Sequence, residues 1–118
     1  MDKVVLRYRD GRTEKASLAP IDLARESFSI TREDATSDEI PFSQLKAVFF
    51  LRQNPDEPLE EPSGSTIAVE FIDGEVIRGI ANLNPERNGF YLFPADRSKN
   101  ERIFVVSSAI VSIEVERL

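Results

Sequence analysis

Two stretches of this chain repeat one pattern. Val4-Val-Leu-Arg-Tyr-Arg-Asp-Gly-Arg12 and Ile67-Ala-Val-Glu-Phe-Ile-Asp-Gly-Glu75 each set apolar residues at alternate positions, end the run on an aromatic, and then reach Asp-Gly. Alternation with a period of two marks a strand buried on one face. Asp-Gly directly after such a run marks a tight hairpin, because both residues tolerate positive φ. The match persists downstream. Phe28 and Ile30 correspond to Phe90 and Leu92, while Ile40, Leu45, Val48 and Phe50 correspond to Val105, Ile110, Ile113 and Val115. Agreement through four elements in one order predicts a duplicated unit, so whatever architecture one half adopts, the other must also accept.

Each half is predicted to hold five short strands, at roughly 3–9, 12–18, 26–31, 37–41 and 46–52, then roughly 66–72, 75–83, 89–94, 102–106 and 110–116. The best helical candidate is a single turn at residues 21–26, capped by Asp22. Residues 54–65 contain three prolines, four acids and a Ser-Gly-Ser end, and they read as an extended or mobile linker. The expected organisation is therefore all-β, with a first unit at 1–53, a linker at 54–65 and a second unit at 66–118. Units of this size bury only about 60% of their unfolded surface, so the two are expected to pack together.

Residue types narrow the chemistry. The chain has no His, Cys or Trp, which excludes disulfides, thiolate and imidazole metal sites, and histidine-assisted nucleophiles. Neither a GxxxxGK[ST] nor a GxGxxG segment is present, and no DxSxxG follows the early arginines as a cyclic-dinucleotide site requires. The carboxylate pairs Glu33/Asp34, Asp38/Glu39 and Glu60/Glu61 lie in polar segments and read as solvated surface. No catalytic residue, cofactor or metal is expected. The net charge of −6, from 15 basic and 21 acidic residues, argues against a nonspecific grip on nucleic acid or anionic lipid. With no apolar run near the ~20 residues of a membrane span and no signal-like start, a cytoplasmic location is expected.

The hairpin and its sequel resemble a known architecture. Residues 69–79, with Gly79 in the second strand, and the loop at 84–89 leading into Phe90, Tyr91 and Leu92 are similar to the first motif of the Sm-like small barrel. That resemblance implies two tandem five-stranded Sm-like or SH3-like barrels, and neighbours joined through their fourth and fifth strands. It also implies an RNA site in which Asn88 takes the loop position. The Arg-Gly of the second motif is replaced by Val106-Ser-Ser-Ala109 and by Pro41-Phe-Ser-Gln44, and Ala16 stands where the second half has Gly79. The whole chain also resembles an uncharacterised bacterial domain family whose members carry the Asp-Gly segments and the stretch Phe93-Pro-Ala-Asp96 followed by Asn100-Glu-Arg-Ile-Phe-Val105.

Some strands carry more apolar residues than one buried face requires. Ala47-Val-Phe-Phe-Leu51 is apolar on both faces, whereas Ser112-Ile-Glu-Val-Glu116 alternates, so Phe49 and Leu51 stand where the other copy has Glu114 and Glu116. Ile103-Phe-Val-Val106 shows the same excess over Asp38-Glu-Ile-Pro41, and Phe90-Tyr-Leu-Phe93 over Phe28-Ser-Ile-Thr31. A strand buried on both faces need not alternate. Phe49, Leu51, Tyr91, Phe93, Phe104 and Val106 are thus candidate interface residues, with Phe49 and Leu51 expected to lie against the Phe104/Val106 face. Arg7, Arg9, Arg12 and Lys15 form the one basic cluster, a weak candidate patch for an anion or an acidic partner. Together these features point to a non-enzymatic adaptor or assembly module that binds a protein partner or itself, including as a homo-oligomer. The alternative is an atypical Sm-like RNA-binding protein.

Overall fold

The computed structural model describes residues 2–54, 56–59, 61–82 and 88–116. Its first half holds β1 (Asp2–Tyr8), β2 (Thr13–Leu18), β3 (Ser27–Thr31), β4 (Ser37–Pro41) and β5 (Leu45–Leu51). The second holds β6 (Ser65–Phe71), β7 (Val76–Ala81), β8 (Gly89–Pro94), β9 (Asn100–Val106) and β10 (Ile110–Val115). The all-β reading stands, and each strand lies within about two residues of its expected place, the usual fraying of element ends. The described residues contain no α-helix, hence none long and apolar enough to cross a membrane. At 21–26 the chain makes an Asx turn instead: the Asp22 carboxylate accepts the Ala24 N–H at 2.9 Å, which satisfies the donor without starting a helix.

The halves fold by the same local contacts. Gly11 and Gly74 take φ of 94° and 88° at the hairpin tips. Tyr8 N–H bonds Arg12 O at 2.9 Å as Phe71 N–H bonds Glu75 O at 2.9 Å. Asp10 accepts the Arg12 N–H, and Asp73 the Glu75 N–H, each at 3.0 Å. A 3₁₀ turn precedes the last strand of each half, at Phe42–Gln44 and at Ser107–Ala109. Arg9 N–H bonds Gln44 O as Ile72 N–H bonds Ala109 O, both at 3.0 Å.

The strands do not close into two barrels. They form one open antiparallel sheet of order β10-β6-β7-β8-β9-β5-β1-β2-β3-β4. In each half the last strand lies beside the first. The halves meet where β5 pairs with β9, with Val48 opposite Phe104 and Phe49 opposite Ile103. This pairing continues the sheet, and it gives β5 and β9 neighbours on both sides.

Side-chain alternation along this register explains the doubly apolar strands. Val4, Leu6, Val48, Phe50, Phe104 and Tyr91 share one face through successive cross-strand pairs, and the first half's core lies there. Val69, Leu92, Ile103, Val105, Ala47 and Phe49 belong to the other face, where the second half's core lies. Each seam strand therefore serves both cores: β5 contributes Ala47 and Phe49 to the second half, and β9 contributes Phe104 and Val106 to the first. This corrects the expectation that Phe49 and Leu51 cover Phe104 and Val106. The two sets project to opposite faces, and Phe104 instead meets the ring of Phe42 at 5.7 Å, which in turn packs on Phe28 at 5.3 Å.

Among its described residues, the expected linker at 54–65 forms no strand before Ser65. Its beginning is an Asx turn in which Asn54 accepts the Asp56 N–H at 3.1 Å, and Arg52 donates to Glu57 O at 2.9 Å. Glu60 and residues 84–87 of the 84–89 loop lie outside the described residues.

Candidate functional site

The candidate site is an edge. β10 and β4 end the sheet, and among the described residues no strand pairs with their outer sides. β4 is a guarded edge: Asp38 and Glu39 are exposed and Pro41 lacks a donor, the usual obstacles to strand addition. β10 has no proline, and its exposed apolar residues are Val111 at 59%, Ile113 at 38% and Val115 at 50%.

The equivalent strand shows what is missing there. A bulge follows the hairpin strand in both halves, so Leu45 opposite Tyr8 corresponds to Ile110 opposite Phe71. Val48 and Phe50 then correspond to Ile113 and Val115. In β5 these positions are 0% and 1% exposed because β9 lies alongside, with Phe104 opposite Val48 and Arg102 opposite Phe50. The Arg102 guanidinium stands 4.1 Å from the Phe50 ring centre. Ile113 and Val115 have the same inward register but no such neighbour. On the other face β10 places Ser112, Glu114 and Glu116, all exposed, next to exposed Glu70. Arg78, a cation on that face, pairs with Glu116 at 3.2 Å.

The arginines singled out in the sequence do not form one free patch. Arg7 lies 4.2 Å over the Phe49 ring and pairs with Glu75 of the second half at 3.4 Å. Arg9 donates to Leu45 O at 3.0 Å and to the Ser108 hydroxyl. Arg12 pairs with Asp10 at 2.8 Å and covers Tyr8, while Lys15 is exposed. Sequence reasoning passed over Lys46. It is buried, bonds Asp73 at 2.7 Å and Glu75 at 2.9 Å, and sits 4.9 Å from the Phe71 ring centre. Its one legible signal was a lysine inside an otherwise apolar strand. Arg7, Arg9 and Lys46 thus tie the first half to the second half's hairpin and 3₁₀ turn.

Of the interface candidates, Phe49, Phe104 and Val106 are buried in the seam. Leu51, Tyr91 and Phe93 line a cavity of about 590 Å³ with Leu59, Arg97 and Arg102. Tyr91 meets Phe50 and Phe104 edge-on, at 5.8 and 5.3 Å. Asn88 spends its amide on the first half, donating to Leu23 O at 3.1 Å and Arg25 O at 2.7 Å.

The displaced carboxylates are all displaced downward. Lys46 holds Asp73 below the usual carboxylate range, Arg32 does so for Glu14 and Asp38, and the Arg12 backbone N–H for Asp10. Thr36 and Ser98 act likewise on Asp34 and Asp96. These groups are ionised acceptors at neutral pH, the opposite of a carboxyl raised to serve as a general acid. Among the described residues no group of three or more acidic side chains is placed to hold a metal ion.

A family model described as a family of unknown function, DUF6982, matches residues 1–117. No curated protein and no solved structure matches the chain.

Proposed function

The chain belongs to DUF6982, a family of unknown function, and we propose that it is a non-enzymatic, cytoplasmic protein-interaction module whose docking element is the outer edge of β10. The observation that carries this reading is the contrast between equivalent strands: Val48 and Phe50 are covered by a neighbouring strand, whereas Ile113 and Val115 are not. Strand addition supplies main-chain hydrogen bonds along the edge and takes specificity from alternate side chains. The reading also takes each half as a duplicated Sm-like or SH3-like unit. The shared strand order and matching hairpin contacts support it. The β5–β9 seam would then be an internal copy of the contact that β10 makes externally.

A photo-cross-linker placed at Ser112 of the full chain in its native cells tests the proposal. A discrete adduct to a partner is expected, lost when Ile113 and Val115 are changed to glutamate. The same adducts from a linker at Ser29, on the opposite half, would overturn it. The RNA-binding alternative is weakened because Asn88 is already engaged by Leu23 and Arg25. Fluorescence anisotropy with U-rich and A-rich oligonucleotides is expected to show no salt-sensitive micromolar binding.

A further inference from the structure

We infer that the β10 edge is built for an extended segment of alternating apolar and basic residues, added antiparallel in the register that β9 uses on β5; this rests on β10 being the docking element. The seam supplies the register. β9 sets Phe104 opposite Val48 and Arg102 opposite Phe50, with Val105 and Ile103 facing the other way. Transferred to β10, the residue opposite Ile113 takes the place of Phe104, extends the second half's core and is apolar. The residue opposite Val115 takes the place of Arg102, but Val115 offers no ring for a guanidinium to cover as Phe50 does, so an apolar residue fits there as well. Those opposite Ser112, Glu114 and Glu116 emerge on the face that carries Glu70. Phe49 required an apolar partner in the seam, but Glu114 stands in its place, so the partner residue there must carry positive charge.

The same carboxylates disfavour a second copy. A β4 strand from another chain, placed as β9 is placed, would set Asp38 opposite Glu114 and Glu39 opposite Ile113. A second β10 paired about Ile113 would crowd two Glu114 and two Glu116 side chains onto one face. Like charges across a strand pair destabilise it, and opposite charges stabilise it by a similar amount. Charge therefore selects against this chain as its own partner and in favour of a basic one.

The probe is an end-capped peptide, Lys-Val-Lys-Phe-Lys-Val, titrated into the full chain and followed by amide NMR shifts of residues 110–116. Its charge-inverted counterpart is Glu-Val-Glu-Phe-Glu-Val. The basic peptide is expected to bind about tenfold or more tightly than the acidic one, from two or three reversed cross-strand pairs. It should protect the outward amides of β10, and the E114K/E116K variant should reverse the preference. Equal affinity for both peptides with β10 amides protected, or a preference that the variant leaves unchanged, overturns the basic-segment inference while strand addition stands. Binding of either peptide without protection at β10, or no response to either at millimolar concentration, overturns strand addition itself.

Discussion

Phe104 belongs by sequence to the second half and by packing to the first, so truncating it should weaken the half it does not belong to. Its side chain is 0% exposed, opposite Val48 and in ring contact with Phe42 at 5.7 Å and Tyr91 at 5.3 Å. Removing a fully buried phenylalanine costs about 3–5 kcal/mol, cavity included, of which an aromatic pair accounts for about 0.5–1.5 kcal/mol. With an unfolding entropy of about 2.1 cal/mol/K per residue, a chain of this length should lose about 12–20 °C of Tm. The chain has two tyrosines and no tryptophan. In a Tyr91→Phe background, Tyr8 fluorescence therefore reports the first half alone. Phe104→Ala in that background should move the Tyr8 transition down by the full amount, together with the far-UV circular dichroism. A Tyr8 transition that stays in place while the rest of the protein melts early would refute the exchange of core residues across the seam.

Three further outcomes follow from local geometry. Asp73, held low by Lys46, contributes stability that is present above the unfolded carboxylate value and lost as pH falls through its lowered folded value; Asp73→Asn should flatten that part of the urea-midpoint profile as pH falls below about 4. Tyr8 is pushed up to about 12 by burial first and then by its bond to Glu14; stability should fall as pH rises from about 10 through that value, and Tyr8→Phe should remove the loss. A Cβ on Gly79 would lie 2.4 Å from Phe93 O and 2.5 Å from Leu92 Cδ2, so Gly79→Ala should lower the unfolding free energy read from urea denaturation by about 1–3 kcal/mol, while Ala16→Gly at the matching place should cost about 0.5–1 kcal/mol.

Most strands were legible because they alternate on one buried face, and the hairpins because Asp-Gly allows a positive φ. The seam strands were legible as doubly buried, since Phe49 and Phe104 break the alternation that Glu114 and Glu39 keep. What alternation cannot encode is which strand lies beside which. A surplus face reads the same whether it meets a facing sheet or serves a second core across a continuous one, so Phe49 was expected against Phe104 instead of on the opposite side of the sheet. The arginines show the same limit: a run of cations along the first hairpin looks like a patch until the topology brings Glu75 and Ser108 to it. β10 appeared ordinary for the converse reason. Its clean alternation is that of any half-buried strand, and only its place at the end of the sheet leaves Ile113 and Val115 uncovered.

Residue-resolved amide hydrogen exchange on the isolated full chain tests most directly whether β10 is open where β5 is closed. The β5 amides from Ala47 to Phe50 have partner strands on both sides, so they should exchange only through global unfolding. In β10, the alternate amides that point away from β6 should exchange orders of magnitude faster than those bonded to it. Protection of every β10 amide to the level of β5 would contradict the account, because the edge would then already be occupied.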